Sequence, residues 1–435
     1  PSDGQTNPID TTRAMAAVAK ENGAHIHEGV KVDDILYEDG KITGVQTAHG
    51  HIKARKVILC GGMWSRDLAA ACGVTVPLHA AEHFYIVTEG INELPSDMPV
   101  IRDPDNSIYI KEDAGKLLVG AFEPVAKPWG HKGISEDFCF DELPPDLDHF
   151  EPFLMNAMQR IPLLEQAGIR TFFNGPESFT PDDRYLLGEA PNLKNLFVAT
   201  GFNSIGIQSA GGAGKVLADW IHKGEPPMDL WDVDIRRVMP FQSNRHYLYD
   251  RTVETLGLLY QMHWPYRQPE TARHVRKSTL HDRLEAKGAC FGELAGWERP
   301  NWYATDGMKP DYEYSFSRQN WFEQSAAEHK AVRETVGLFD QSSFAKYRVE
   351  GRDAEALLNR LSTANMSVPD GKVVYTQWLN DQGGIEADLT ITRLSRTSYL
   401  VVTACASQVR DLHWLTSHIR DDEHVIATDV TSAYG

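Results

Sequence analysis

Cysteine is scarce in this chain of 435 residues, which has five. Cys60, Cys72, Cys139, Cys290 and Cys405 are odd in number and widely spaced, and no CxxC occurs. That argues against a disulfide framework or a zinc knuckle and for reduced, mostly buried thiols in a reducing compartment. No apolar run approaches the ~20 residues that a bilayer-crossing helix needs. Positive charge is in deficit: 43 Lys and Arg face 61 Asp and Glu, and the net charge of −18 repels phosphate backbones, so nucleic acid is not an expected partner. The 17 histidines form no HExxH and no Cys/His cluster with ligand spacing, so no metal site is expected. A GxGxxG after an early strand, with which a complete dinucleotide fold begins, is missing too. So are an initiator Met and a signal or transit peptide. Both ends read as cuts through a longer protein, with the dinucleotide segment upstream.

Apolar residues make up 42% of the chain, enough for sizeable cores, and the length suits two to four domains. The first 60 residues read as a helix over Ile9–Asn22 stopped by Gly23, strands at Ala24–His27 and Val30–Tyr37, a two-residue turn at Asp39-Gly40, and an answering strand over Ile42–Thr47. Lys56–Cys60 is a buried strand that runs through Gly61-Gly62 into a helix, Ser65–Cys72. Alternating apolar and polar residues over 76–123 predict an antiparallel sheet. Residues 145–167 are helical. Leu196–Ala199 is a second buried strand, leading through a glycine-rich loop, Gly201–Gly214, to a helix over Lys215–His222. Two strand–glycine–helix junctions point to a mixed α/β nucleotide-binding fold with an inserted antiparallel sheet. A boundary falls near Pro226-Pro227. Later comes a separate α+β segment: strand Lys346–Glu350, helix Asp353–Leu361, strand Val373–Leu379, turn Asn380–Gly384, and strands Ala387–Leu394 and Ser398–Thr403. The domains expected are 1–240, 241–310 as a connecting layer, and 311–435.

Several residue groups carry possible chemistry. Gly61 and Gly62 let the backbone approach a ligand and place a helix N-terminus behind it, or simply make a tight turn. Trp64 beside them is either a ring contact for a cofactor or a packed indole. The run Gly201-Phe202-Asn203-Ser204-Ile205-Gly206-Ile207, with Gly211, Gly212 and Gly214, forms a backbone cradle or a helix-packing cluster. Gly214-Lys215 is not a P-loop, because Val216 stands where Ser or Thr is required. His83, ahead of Phe84-Tyr85, and Tyr109 are candidates for orienting a carboxylate or taking a proton, against the plainer reading as packed strand residues. Arg102 pairs either with a substrate carboxylate or with Asp103. Cys60 has no base beside it, and a nucleophilic role is not expected.

Longer runs carry a family resemblance. Gly175-Pro176-Glu177-Ser178-Phe179-Thr180-Pro181-Asp182, Leu187-Gly188-Glu189, Gly201-Phe202-Asn203-Ser204, Gly296-Trp297-Glu298-Arg299-Pro300 and Asn320-Trp321-Phe322-Glu323 resemble the dimethylglycine and sarcosine dehydrogenases over nearly the whole chain. Ser317–Glu323 leans to the dimethylglycine branch. The resemblance implies an FAD-binding domain of the D-amino-acid-oxidase, glutathione-reductase-like type. It implies Val32 at the adenine, Trp64 after the glycine pair, the Phe202–Ile207 segment reaching the flavin ring, and His83 and Tyr109 as the active-site pair. The family's dinucleotide motif and its histidine linked covalently to FAD have no counterpart in this sequence. From about residue 340 the chain is similar to the folate-binding domain of glycine-cleavage aminomethyltransferases, through Tyr375-Thr376-Gln377-Trp378-Leu379-Asn380 and Gly383-Gly384-Ile385-Glu386-Ala387-Asp388-Leu389-Thr390. Tyr375 and Asp388 match its pterin contacts. The implied function is oxidative N-demethylation of dimethylglycine or sarcosine, with FAD as hydride acceptor and tetrahydrofolate taking the one-carbon unit. Electrons would pass to an electron-transfer flavoprotein or to oxygen, in bacterial cytoplasm or mitochondrial matrix. Arg276-Lys277-Ser278 and Asp282-Arg283-Leu284-Glu285 also resemble a non-catalytic regulatory subunit of pyruvate dehydrogenase phosphatase, the second reading.

Overall fold

The side chain of Asn7 accepts from the N–H groups of Ile9 and Asp10, and Pro8 follows it, so the first helix, α1, covers Pro8–Glu21. The computed structural model describes residues 4–435 except 93, 96 and 306. Two compact units divide the chain: Pro1–Ile235 with Pro240–His263, and Arg236–Met239 with Trp264–Gly435. Among the described residues no helix is long and apolar enough to cross a membrane.

In the first unit α1 is followed by β1 (Val32–Glu38), β2 (Lys41–Thr47), β3 (Gly50–Lys53), β4 (Val57–Leu59), α2 (Ser65–Ala71), β5 (His79–Thr88), β6 (Ile101–Asp103), β7 (Ile108–Asp113), β8 (Lys116–Ala121) and β9 (Lys127–Trp129). Then come α3 (Leu147–Arg160), β10 (Ile169–Phe179), β11 (Leu186–Glu189), β12 (Leu196–Thr200), α4 (Gly206–Lys223) and α5 (Arg245–Thr255). The expected strand at Ala24–His27 does not form, because those residues join no ladder. Asp39 and Gly40 both have positive φ, 48° and 71°, as the expected hairpin turn requires. The expected helix at Lys215 starts nine residues earlier, at Gly206. Glycine's poor helix propensity hid this, since Gly211, Gly212 and Gly214 lie inside α4 rather than in a loop.

Strand β4 runs parallel to β12, which pairs antiparallel with β11. Leu217 and Trp220 of α4 pack on Leu187 and Phe197 of that sheet. The larger sheet has the order β10-β5-β8-β7-β6, with β9 also on β5. Alternation assigns its two faces. Phe84, Ile86, Ile108, Ile110, Leu117 and Val119 form a core with Phe150 and Ala157 of α3. The residues between them, His83, Tyr85, Tyr109, Gly120 and, on β10, Phe173 and Gly175, point the other way.

The second unit contains α6 (His281–Glu285), β13 (Ala289–Leu294), β14 (Trp297–Tyr303), α7 (Phe322–Glu334), β15 (Ala345–Glu350), α8 (Ala354–Leu361), β16 (Val373–Leu379), β17 (Ile385–Ser395), β18 (Ser398–Thr403), α9 (Gln408–Ser417) and β19 (Ile426–Asp429). Five of its strands make an antiparallel sheet in the order β16-β17-β18-β15-β19. One face, with Tyr347, Trp378, Ile391 and Tyr399, packs on Leu357 and Leu358 of α8 and Leu415 of α9. The fold is thus α/β with an inserted antiparallel sheet, followed by α+β.

Candidate active site

A single row of side chains crosses the larger sheet on the face away from α3. Arg102 pairs with Tyr109, Tyr109 with Gly120, Gly120 with Tyr85, and Tyr85 with Phe173. Gly120 is the gap in the row. A Cβ there would lie 2.2 Å from the Tyr109 hydroxyl oxygen, so the absent side chain lets the phenol lie across β8. One step along, His83 faces Gly175. All of these but Gly120, with Val100, Phe122, Glu177, Ser204, Ile205, Leu259 and Tyr260, line a cavity of about 590 Å³.

His83 stands with Nδ1 3.6 Å from Oε2 of Glu123, whose side chain is 1% exposed. Burial disfavours the charged imidazole, but the carboxylates of Glu123 and Glu177 outweigh it and raise the His83 pKa above its usual value. Tyr109 is raised by burial first, then by Tyr260 and the same two carboxylates, so it stays a neutral phenol. Arg102 donates from Nε to the Tyr260 hydroxyl at 3.0 Å, with its guanidinium carbon 4.6 Å from the centre of that ring. The alternative pairing of Arg102 with Asp103 does not occur, because Asp103 is held by Nε of Arg160 at 2.9 Å. Among the described residues no carboxylate lies within ion-pair distance of Arg102, which leaves its Nη groups for an anion.

Glu177 anchors the segment that separates this cavity from the next. Its Oε1 accepts from the Ser204 N–H at 2.8 Å, and its Oε2 from the Ser204 hydroxyl. Asn203, fully buried, accepts the Thr180 N–H at 2.8 Å and donates to the Gly201 carbonyl at 2.8 Å. Asn203 and Ser204 both sit at positive φ, 48° and 63°, and these bonds are what hold them there. The second cavity, about 720 Å³, is lined by Cys60, Gly62, Trp64, Pro176, Glu177, Gly201, Phe202, Gly206, Ala210, Ala213 and Gly214 among others. Pro176 and Glu177 line both cavities. Burial pushes the Cys60 thiol up, against a nucleophilic role.

The structure therefore brings Gly62, Trp64, Gly201, Phe202 and Gly206 to one cavity, and His83, Arg102, Tyr109, Ser204 and Ile205 to the adjoining one. Val32, Gly61 and Ile207 line neither, and Asn203 acts as an internal clamp. Tyr375 and Asp388 lie on exposed sheet surface of the second unit, where Gln377 donates to Asp388 at 3.0 Å. Glu123, Glu177, Gly120 and Tyr260 escaped the sequence reading. Glu177 lies within the Gly175–Asp182 run, while nothing local marks Glu123, whose partner His83 lies forty positions upstream.

The second cavity fits the flavin end of FAD. Gly62, Gly201, Gly206, Ala210, Ala213 and Gly214 offer backbone and small side chains for close approach, and Trp64 and Phe202 offer ring faces. The N-terminus of α4 has no side-chain cap, so its N–H groups are open to an anion. Val32, expected at the adenine, lines neither cavity.

Comparison with known families agrees. Residues 1–220 match the family described as FAD dependent oxidoreductase, 223–278 its central domain, and 280–435 the GCVT N-terminal domain. The chain is 48% identical over 415 residues to 4-methylaminobutanoate oxidase (formaldehyde-forming) of Paenarthrobacter nicotinovorans, covering 95% of this chain and 50% of that protein. It is 36% identical over 442 residues to the mitochondrial pyruvate dehydrogenase phosphatase regulatory subunit of Mus musculus, covering 100% and 50%. Identity to the mitochondrial sarcosine dehydrogenase of Homo sapiens is 35% over 425 residues, covering 91% and 46%. The chain spans about half the length of these curated relatives. It belongs to the FAD-dependent oxidoreductase family, in the branch that joins this domain to a GCVT domain, as the sarcosine and dimethylglycine dehydrogenases do.

Proposed function

We propose that the protein carries out oxidative N-demethylation of a small N-methylated amino acid, dimethylglycine or sarcosine, at the cavity lined by His83, Arg102 and Tyr109. The observation that carries this reading is the shared wall. Pro176 and Glu177 border both the cavity suited to a flavin ring and the cavity that presents cationic groups and a neutral phenol. When bound, the flavin supplies a two-electron acceptor for the N-methyl carbon. Trp64, Gly201, Phe202 and Gly206 would hold it. Arg102, through its open Nη groups, and His83 take the substrate carboxylate. Positive charge beside the amine disfavours an ammonium, so the substrate binds with its nitrogen lone pair free. Tyr109, a neutral phenol, donates a hydrogen bond to the substrate carboxylate and so fixes the amine's orientation without acting as a base.

The oxidised product is an iminium that yields a one-carbon unit. In the second unit Tyr375, Gln377 and Asp388 are the candidates for tetrahydrofolate, with the Asp388 carboxylate accepting from an aminopyrimidine edge. An electron-transfer flavoprotein is the proposed acceptor, and a reducing interior, cytoplasm or mitochondrial matrix, the proposed compartment for five free thiols. The regulatory reading has support in the likeness to the phosphatase subunit. The built cavity around His83 favours the enzyme.

Anaerobic titration of the flavin-loaded protein with dimethylglycine, sarcosine and 4-methylaminobutanoate decides between them. Bleaching of the flavin band by one of them is expected, and His83→Ala should cut both turnover and affinity. A flavin that none of the three reduces would favour the regulatory reading.

A further inference from the structure

The N-demethylation reading leaves one buried carboxylate without a task. Both oxygens of Glu123 are buried and have no hydrogen-bond partner. The one charged neighbour within ion-pair distance among the described residues is His83, at 3.6 Å. A carboxylate stripped of water and of donors is costly unless a cation faces it. Glu123 also cannot withdraw. The Phe122 N–H donates to the Ser107 carbonyl at 2.9 Å, and the Ala126 N–H to the Val253 carbonyl at 2.8 Å. Gly257 lies so close that a Cβ there would come within 2.7 Å of the Pro124 Cα and 2.9 Å of the Glu123 carbonyl oxygen. The Phe122 ring is wedged between His83, 5.0 Å away, and Tyr260, stacked at 4.5 Å.

We propose that Glu123 is a positioning residue: it holds His83 as an imidazolium with Nδ1 turned inward, so that Nε2 is a fixed, charged donor for the substrate carboxylate. This rests on the demethylation reading of the same cavity. The groups around His83 are Glu123 from the segment after β8, Glu177 from β10, Tyr109 from β7, Tyr85 on its own strand and Arg102 across the cavity on β6. Of these, Glu177 is engaged by Ser204, and Tyr109 stays neutral. Glu123 is thus the counterion that lets a second cation join Arg102 in one cavity. The pair of cations selects an anionic substrate end and keeps the neighbouring amine unprotonated.

Histidine-selective carbon-13 NMR of the flavin-loaded protein, with H83N for assignment, measures this directly. In the wild type His83 should titrate above the ordinary imidazole value of about 6.5. Glu123→Gln should lower the midpoint by about one pH unit or more, and Glu123→Asp, which keeps the charge, by less. At a pH between the two midpoints, acetate as a bare carboxylate probe should bind Glu123→Gln several-fold more weakly. The high-pH limb of kcat/KM for dimethylglycine should move with the NMR midpoint. A midpoint unmoved in folded Glu123→Gln overturns the proposal. If that variant does not fold, a Glu123→Asp midpoint at or below the ordinary imidazole value overturns it equally. Expected shifts in a protein that demethylates nothing would uphold the Glu123–His83 coupling and sink the substrate reading instead.

Discussion

Tyr109 occupies space that Gly120 leaves open, and the two must be read together. An added Cβ at Gly120 would stand 2.1 Å from the Tyr109 Cζ, well inside contact distance. Gly120→Ala should therefore push the phenol off the strand. A cost of about 1–3 kcal/mol in stability is expected, the range of overpacking. Turnover should fall further than Tyr109→Phe lowers it, because the displaced ring also blocks the cavity. In a Tyr109→Ala background the same change should cost little, which a double-mutant cycle in urea would show as coupling of at least about 1 kcal/mol. Additive effects would mean that the strand, not the ring, needs the glycine. Nothing in the local sequence Leu118-Val119-Gly120-Ala121 announces this role. The residue it serves sits on another strand, and only the register joins them.

At the scale of elements, helix α4 shows where sequence reading stops. The strands Val373–Leu379 and Ser398–Thr403 were legible to the residue, because alternation and flanking turns both mark them. The Asp39-Gly40 turn was legible for its chemistry. The first turns of α4 were not: three glycines, each about 1 kcal/mol worse than Ala in a helix, imitate a loop, and only packing against β11 and β12 overrides them. Strands β10 and β11 went unread for a different reason. Gly175–Asp182 and Leu187–Glu189 carry a family pattern rather than a strand alternation, and β10 pairs with β5 about ninety positions away. The glycines make a test. Nothing lies within 4 Å of a Cβ at Gly211, Gly212 or Gly214. Alanine at Gly211 or Gly212 should raise the stability of the flavin-free protein by about 0.5–1 kcal/mol each, and at Gly214 by a similar amount. Gly214 alone of the three lines the second cavity, so only Gly214→Ala should also weaken flavin uptake. Urea midpoints and flavin titrations read the two effects separately. Destabilisation by Gly212→Ala would show that the glycine backbone itself is required there.

For the whole molecule, the two units bury separate cores. One is built on Phe84, Ile110 and Phe150, the other on Tyr347, Trp378 and Tyr399. Both cavities of the candidate active site are lined wholly by residues of the first unit, and the Tyr375–Asp388 surface belongs to the second. A ligand that binds only the folded form stabilises it by about 2.7 kcal/mol when present at a hundred times its Kd. Flavin should therefore slow hydrogen exchange in the end of β10, the end of β12 and the start of α4, and raise the melting of the unit that contains them. Tetrahydrofolate should protect β16 and β17 instead. The charge of −18 adds a condition, since anionic ligands approach against the field of the whole chain. Both associations should thus speed up as salt rises toward physiological strength, the reverse of steering by opposite charge. Mass-resolved exchange with each ligand in turn measures the partition. Protection of β16 and β17 by flavin alone would mean that the cofactor does not bind where Trp64, Phe202 and Gly206 converge.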